Sequence, residues 1–394
     1  MAVVKHFGFV LIGAAMLFSL GAVAQQSEPP VPIDQQTSAA LRRTIGASLE
    51  TADLTRAAQA AHRYAELGGS LSMNGRQTVR PAMDADMFAQ WSARLDANAA
   101  PFGDSNILAN ISGPRLIESL APIRGGGWFI SSVADARIYR VDSGGAAAPL
   151  AGSDGHGSVF GLAIDRRRNI LWSARVIVPQ SPAMPHFAGL LAQDATSGTI
   201  HRIVHAPAGA SMGDLSVAAD GAVYVSDPVN GAIYRGAADS IDVEQLVPPG
   251  VLRSPQGIAI DERRSRLYVS DYAHGIATID RDTGYVSWLS SDVPAALDGI
   301  DGLLWYRGTL IAIQNGTIPH RIIQIILSRD GRRVTAIKVL ERANPKWDEP
   351  TTGVIDGRNL VYIGNSQWRR FGDGAQIIGE EPLAPTEIRS VRMR

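Results

Sequence analysis

Short stretches of alternating apolar and polar residues, closed by an aspartate or a Ser-Asp pair, recur along most of this chain. Gly257-Ile-Ala-Ile-Asp261 is answered by Gly161-Leu-Ala-Ile-Asp165 and by Asp214-Leu-Ser-Val217. Leu267-Tyr-Val-Ser-Asp271 is answered by Val223-Tyr-Val-Ser-Asp227 and by Ile170-Leu-Trp-Ser173. β-branched and aromatic residues at period two mark strands, and a repeat of this length marks propeller blades. Aligned on the start of the inner strand, the blades open at Glu118-Ser119, Phe160-Gly161, Gly213-Asp214, Gln256-Gly257, Asp298-Gly299 and Thr352-Gly353. The second residues of these pairs lie 42, 53, 43, 42 and 54 positions apart. The 53 contains a Pro-rich insertion at 178–185, and the 54 contains longer outer strands at 321–340. Six starts at this spacing predict an all-β, six-bladed β-propeller of four strands per blade over residues 105–394.

Upstream the period changes from two to that of a helix. Residues 37–104 are expected to form a small helical unit. Ala39, Leu41, Ile45 and Leu49 share one apolar face, and Ala57, Ala58, Ala61, Tyr64, Ala65 and Leu67 share another. Asp53 is placed to cap the second helix and Gly68-Gly69 to end it. A third helix over 84–98 would turn Met87, Phe88, Trp91 and Leu95 inward. The unit resembles a single tetratricopeptide-type hairpin. One hairpin cannot bury its own apolar face, so it is expected to pack against the propeller as a cap.

The first 24 residues have the form of a secretory signal peptide. Lys5 and His6 precede an apolar run of about 17 residues, and Ala22-Val-Ala24 offers small residues for cleavage. The run is short for a membrane span. Residues 25–36, with Pro29, Pro30 and Pro32, are expected to be a linker. The mature chain is therefore expected to be exported, periplasmic or secreted, with no membrane span. It has no cysteine, which excludes disulfides and thiol chemistry, and sheet packing must stabilise it. A formal net charge of -1 over 394 residues gives no basic footprint for nucleic acid.

Propeller geometry turns the repeat into a map. The residue opening each inner strand stands at one mouth of the central channel, so Glu118, Phe160, Gly213, Gln256, Asp298 and Thr352 share that mouth. Alternation along the strand adds Asp214 and Asp301. The second strands return to the same mouth and bring Asp135, Arg175, Asp227, Asp271, Gln314-Asn315 and Asn365-Ser366. Carboxylates and amide carbonyls in this number suit a hard divalent cation, calcium ahead of zinc, because no histidine or cysteine pair has zinc-ligand spacing. The expected ligands are Glu118, Gln256, Asp298 and Asp214. Loop residues His156 and His274 are candidate acids, histidine being the side chain that titrates near neutrality. Trp347, Trp368 and Tyr362 are expected to pack within sheets.

Glu118, Pro255-Gln256-Gly257-Ile258 and Leu297-Asp298-Gly299 resemble motifs of the senescence-marker-protein, regucalcin and gluconolactonase family of six-bladed propellers. Asp301-Gly-Leu303, Gln314-Asn-Gly316, Glu349-Pro-Thr-Thr-Gly353 and Asn365-Ser-Gln-Trp368 look more like an exported branch with a helical N-terminal unit. The resemblance covers about residues 107–380. It implies a divalent metal on Glu118, Gln256 and Asp298, with Gln256 in place of the family's asparagine and Gly213 in place of another amide donor. It also implies lactone or ester hydrolysis of a small molecule at the channel mouth, with Asp298 or Asp301 activating water and His156 or His274 protonating the leaving group. The substituted positions give a second expectation, a non-catalytic scaffold that binds a ligand or partner.

Overall fold

The computed structural model describes residues 31–237 and 240–393. The expected signal peptide at 1–24 and most of the linker lie outside these residues. Six sheets follow one another in chain order, as the blade starts predict. Their inner strands are Ile117–Pro122, Ser158–Asp165, Leu215–Val217, Pro255–Asp261, Leu303–Tyr306 and Gly353–Asp356. Each blade is an antiparallel meander running outward from the channel. Blade 5 gains a fifth, parallel strand, Ser290–Ser291, at its outer edge.

Closure of the ring is a tertiary feature. The outermost strand of blade 6 is Asn106–Ile111, from the start of the propeller, paired antiparallel with Thr386–Arg392. One sheet thus joins both ends of the domain, and no edge opens between the first and last blades. The apolar core lies mainly between neighbouring blades. Tyr224 and Ile233 of blade 3 pack on Leu267 and Val269 of blade 4, all fully buried.

The recurring glycine marks where adjacent inner strands come closest. A Cβ on Gly161 would stand 2.8 Å from the backbone N of Leu215. A Cβ on Gly257 would collide with the backbone N of Leu303. Gly257→Ala is therefore expected to destabilise the propeller by about 1–3 kcal/mol through overpacking. Urea unfolding would read this as a lower midpoint, with an unchanged circular dichroism spectrum.

The helical unit contains α1 (Ser38–Glu50), α2 (Leu54–Glu66), α3 (Met73–Val79) and α4 (Ala85–Ala99). Asp53 caps α2 by accepting from Arg56 N, and Asp84 caps α4 by accepting from Met87 N. Leu41, Ile45, Tyr64, Trp91 and Leu95 form the unit's core, and Trp91 Nε1 donates to the Ala61 carbonyl at 3.0 Å. Two details differ from the sequence reading. Met87 is exposed, because α4 turns Trp91 and Leu95 to the core instead. The short helix α3 has too few apolar positions to set up a helical period. Among the described residues no helix is long and apolar enough to cross a membrane.

The unit docks on blade 5 through its helix ends. The N-terminus of α1 meets the carboxylate of Asp298. The C-terminal carbonyl of Leu67, just past α2, accepts from Arg321 Nη1 at 2.9 Å. The carbonyls of Ala97 and Ala100 at the end of α4 accept from Arg342 at 2.7 and 3.0 Å. An acid thus faces a helix N-terminus and two bases face C-termini, the favourable sense for each helix dipole. Ser70 N also donates to the Ile318 carbonyl at 2.7 Å.

Candidate active site at the channel mouth

Backbone bulges aim the mouth residues. In blades 1, 2 and 4 the pairing register shifts between Ile117 and Leu120, between Val159 and Leu162, and between Pro255 and Ile258. The unpaired positions hold Glu118, Phe160 and Gln256, the residues that open those strands. A bulge at this point re-aims a side chain. Serines of the second strands brace the region. Ser119 N donates to Ser131 Oγ at 2.9 Å, Asp214 N to Ser226 Oγ at 3.0 Å, and Ser270 Oγ to the Gly257 carbonyl at 3.2 Å.

Four carboxylates gather in the channel: Glu118, Asp214, Asp301 and Glu349. Each is half-buried. Burial, then the neighbouring charge of Asp301, holds Glu118 well above the usual carboxylate range, against a bond from Trp368 that lowers it. Burial pushes Asp301 up to about 6, opposed by its bond from Asn315. Asp214 is pushed up to about 7 by burial, with a smaller push from Asp301. Glu349 rises to about 7 through burial and then the charges of Asp301 and Asp348, with Arg369 opposing. Like charges that share a poorly solvated space cannot all ionise together, so protons stay bound near neutrality.

Glu118 and Asp301 are held alike. Trp368 Nε1 donates to Glu118 Oε2 at 2.7 Å. Asn315 Nδ2 donates to Asp301 Oδ2 at 2.7 Å, and Tyr272 OH donates to Asn315 Oδ1 at 3.0 Å. In each carboxyl one oxygen is tethered, while among the described residues Glu118 Oε1 and Asp301 Oδ1 carry no such bond. Phe160 lies 6.1 Å from Trp368, ring to ring, which gives the mouth an apolar wall. Trp368 is thus a site residue and not the sheet-packing aromatic expected of it. Trp347 and Tyr362 do pack as expected, edge to face at 6.0 Å. Trp368→Phe would remove the donor that stabilises ionised Glu118 and so raise that pKa further. A pH titration of Glu118 followed by carboxyl NMR is expected to move upward in the variant.

The other expected site residues are placed as follows. Asp298 is 2 % exposed, and its carboxylate belongs to the helical unit. Its Oδ1 accepts from Ser38 N at 3.0 Å, and its Oδ2 accepts from Ser38 Oγ at 2.7 Å and Ala39 N at 3.0 Å. Gln256 Nε2 donates to Ser254 Oγ at 3.0 Å. Of the expected metal trio of Glu118, Gln256 and Asp298, the Asp298 carboxylate is thus engaged by α1. Among the described residues no three His, Asp or Glu side chains form a group that could hold one ion. The histidines point to the rim. The His274 ring lies tilted 5.5 Å from Trp288 on the outermost strand of blade 4, with Nδ1 3.7 Å from Asp271 Oδ1. His156 meets Phe187 edge-on at 5.5 Å, and Phe187 in turn meets His205 on the outermost strand of blade 2.

Asp227 and Asp271, buried at the ends of second strands, cap turns. Asp227 accepts from Ser211, Val229 and Asn230 amides, and Asp271 from those of Arg253, Ala273 and His274. Asp135 pairs with Arg115 at 2.7 Å. Arg175 lies inside blade 2, where it donates to the Ser153 carbonyl at 2.7 Å and burial lowers its pKa to about 9. The sequence reading gave no role to Glu349, Tyr272 or Arg42. Glu349 opens the Glu349-Pro-Thr-Thr-Gly353 motif already singled out, and Tyr272 stands in the loop that follows Asp271. Arg42 of α1 lies near enough to Tyr272 to oppose the upward push of burial on its hydroxyl, a proximity that only docking creates.

The ring of six blades is shared with solved structures. A gluconolactonase from Xanthomonas campestris aligns at 18% identity and TM-score 0.50, covering 76% of this chain and 93% of that one. A putative oxidoreductase (glucose dehydrogenase) from Thermus thermophilus aligns at 15% and 0.50, covering 73% and 99%. The PQQ-bound aldose sugar dehydrogenase of Streptomyces coelicolor aligns at 15% and 0.50, covering 74% and 99%. Identities this low establish the fold and leave the chemistry to the residues. No family model and no curated protein matches the sequence.

Proposed function

We propose that this protein is a lactone or ester hydrolase that works at the channel mouth with Glu118 as acid and Asp301 as base. The observation that carries this reading is the matched pair itself. Each carboxyl has one oxygen tethered by a neutral donor, with no hydrogen bond to the other oxygen among the described residues, and burial raises both, Asp301 to about 6 and Glu118 well above the usual range. Carboxylates raised toward neutrality by burial and nearby charge in a cleft are frequent acid and base groups. The gluconolactonase among the structural neighbours is consistent with a cyclic ester as substrate.

In this mechanism ionised Asp301 takes a proton from water as the water oxygen attacks the ester carbonyl. The acyl carbon–oxygen bond then breaks, and Glu118 gives its proton to the departing alkoxide. The product is a hydroxy acid. Asp301 is left protonated and Glu118 ionised, and return of the proton from Asp301 to Glu118 resets the pair. Phe160 and Trp368 would exclude water from the substrate's far side. Asp298, one of the expected metal ligands, is engaged by α1, and no step is routed through a metal ion.

The test is hydrolysis of glucono-1,5-lactone and of a neutral aliphatic lactone, followed by acid release from pH 5 to pH 9. Turnover is expected to rise through about pH 6 as Asp301 ionises. Turnover no greater than that of an Asp301→Asn control would overturn the reading and favour a non-catalytic scaffold. Repeating the assay with calcium and with chelator reads any metal requirement directly.

A further inference from the structure

A cavity of about 670 Å³ lies between blades 5 and 6, a volume in the range of small-molecule sites. It is separate from the carboxylate funnel. Turns at the opposite ends of the strands form much of its wall, and they bring Arg307, Arg358 and Arg392 together there. All three arginines are exposed, and none makes an ion pair among the described residues. The described lining contains one carboxylate, Asp104. The guanidinium of Arg307 lies 5.4 Å from the ring centre of Tyr306, which also lines the cavity.

An independent observation points to a ligand. Gln324, 3 % exposed, forms part of the same wall, and among the described residues its Oε1 has no hydrogen-bond donor. The amide orientation is fixed by its neighbour. Thr309 Oγ1 gives its only proton to the Tyr306 carbonyl at 2.7 Å, so it can only accept from Gln324 Nε2, at 3.1 Å. The orphan atom is therefore an acceptor. Buried acceptors without a donor are uncommon and call for a partner.

We propose that this cavity is a second ligand site, for a small anion that also carries hydroxyl groups, of the sugar-phosphate class. The arginines match the oxygens of the anion, since guanidinium groups bind phosphate in paired hydrogen bonds. A ligand hydroxyl supplies the donor that Gln324 lacks. Tyr306 offers a flat face beside them. The site does not depend on the chemistry assigned to the funnel.

Isothermal titration at constant ionic strength with glucose 6-phosphate, inorganic phosphate and glucose tests this. Glucose 6-phosphate is expected to bind more tightly than phosphate, and glucose not measurably. Arg358→Ala, at an exposed turn, is expected to weaken both anions about tenfold or more. Gln324→Leu is expected to weaken glucose 6-phosphate while leaving phosphate unchanged. Asp301→Asn should leave all three isotherms as they were, which separates this site from the funnel. Absence of anion binding by the unaltered protein, or affinity untouched by Arg358→Ala, overturns the site. Equal affinity for the two anions together with no effect of Gln324→Leu overturns the hydroxyl requirement.

Discussion

Asp301→Asn is expected to lower lactone or ester turnover by about 10²–10⁴-fold, the usual contribution of a positioned acid or base, and to raise the melting temperature above pH 7. Both effects follow from one cause. In the unfolded chain an aspartate titrates at about 4, whereas burial lifts folded Asp301 to about 6. The folded state therefore holds this proton more tightly than the unfolded state. Its stabilising contribution is fully present below pH 4 and is lost as pH rises through 6. At pH 8 ionised Asp301 opposes folding, and a neutral asparagine of the same shape relieves that opposition. Asp214 and Glu349 act in the same direction, with windows reaching to about pH 7, and Glu118, also raised, adds to it. Thermal melts from pH 4 to pH 9 should show the unaltered protein losing stability across this range and Asp301→Asn losing less. A variant that keeps full turnover, or that melts lower at pH 8, would remove Asp301 from the mechanism.

Asp298→Ala is expected to release the helical unit, at a cost of about 3 kcal/mol from the lost charge-assisted bonds and the uncapped helix start. The carboxylate accepts three hydrogen bonds from Ser38 and Ala39 and is itself almost fully buried. Its removal leaves two backbone N–H groups and a hydroxyl without acceptors. Hydrogen exchange should speed up in α1 before it changes in the blades, and limited proteolysis should cut near residues 31–37 first. Asp298→Asn distinguishes this role from the catalytic one expected by resemblance. An asparagine keeps the shape and loses the charge, so faster exchange in α1 with turnover within about tenfold of normal supports docking. Loss of turnover at the level of a missing base, with α1 exchange unchanged, would return Asp298 to the reaction.

The two aspartates show how far the sequence could be read. Asp298 and Asp301 are three positions apart, and both were expected at the mouth. The blade repeat places their backbone there. Which carboxylate faces the channel and which faces a helix depends on a contact with Ser38, 260 positions away. No local pattern encodes that contact. The same holds for Trp368, whose indole reaches Glu118 across 250 positions. By contrast, the glycine has the same meaning in blades 2 and 4, and the Ser-Asp pair the same meaning in blades 3 and 4. The glycine answers to close backbone approach and the aspartate to turn amides, both of which recur with the repeat.

Strand period, blade spacing, helix caps and the acidic character of one channel mouth were determined by the sequence itself, because each depends on residues within a blade or a helical turn of one another. The closure of blade 6 by Asn106–Ile111, the capture of Asp298 by α1 and the turning of the histidines to the rim were decided only by the tertiary structure. So was the upward shift of Glu118 and Asp301. A pKa depends on burial and on nearby charge, and both exist only once distant parts of the chain have packed.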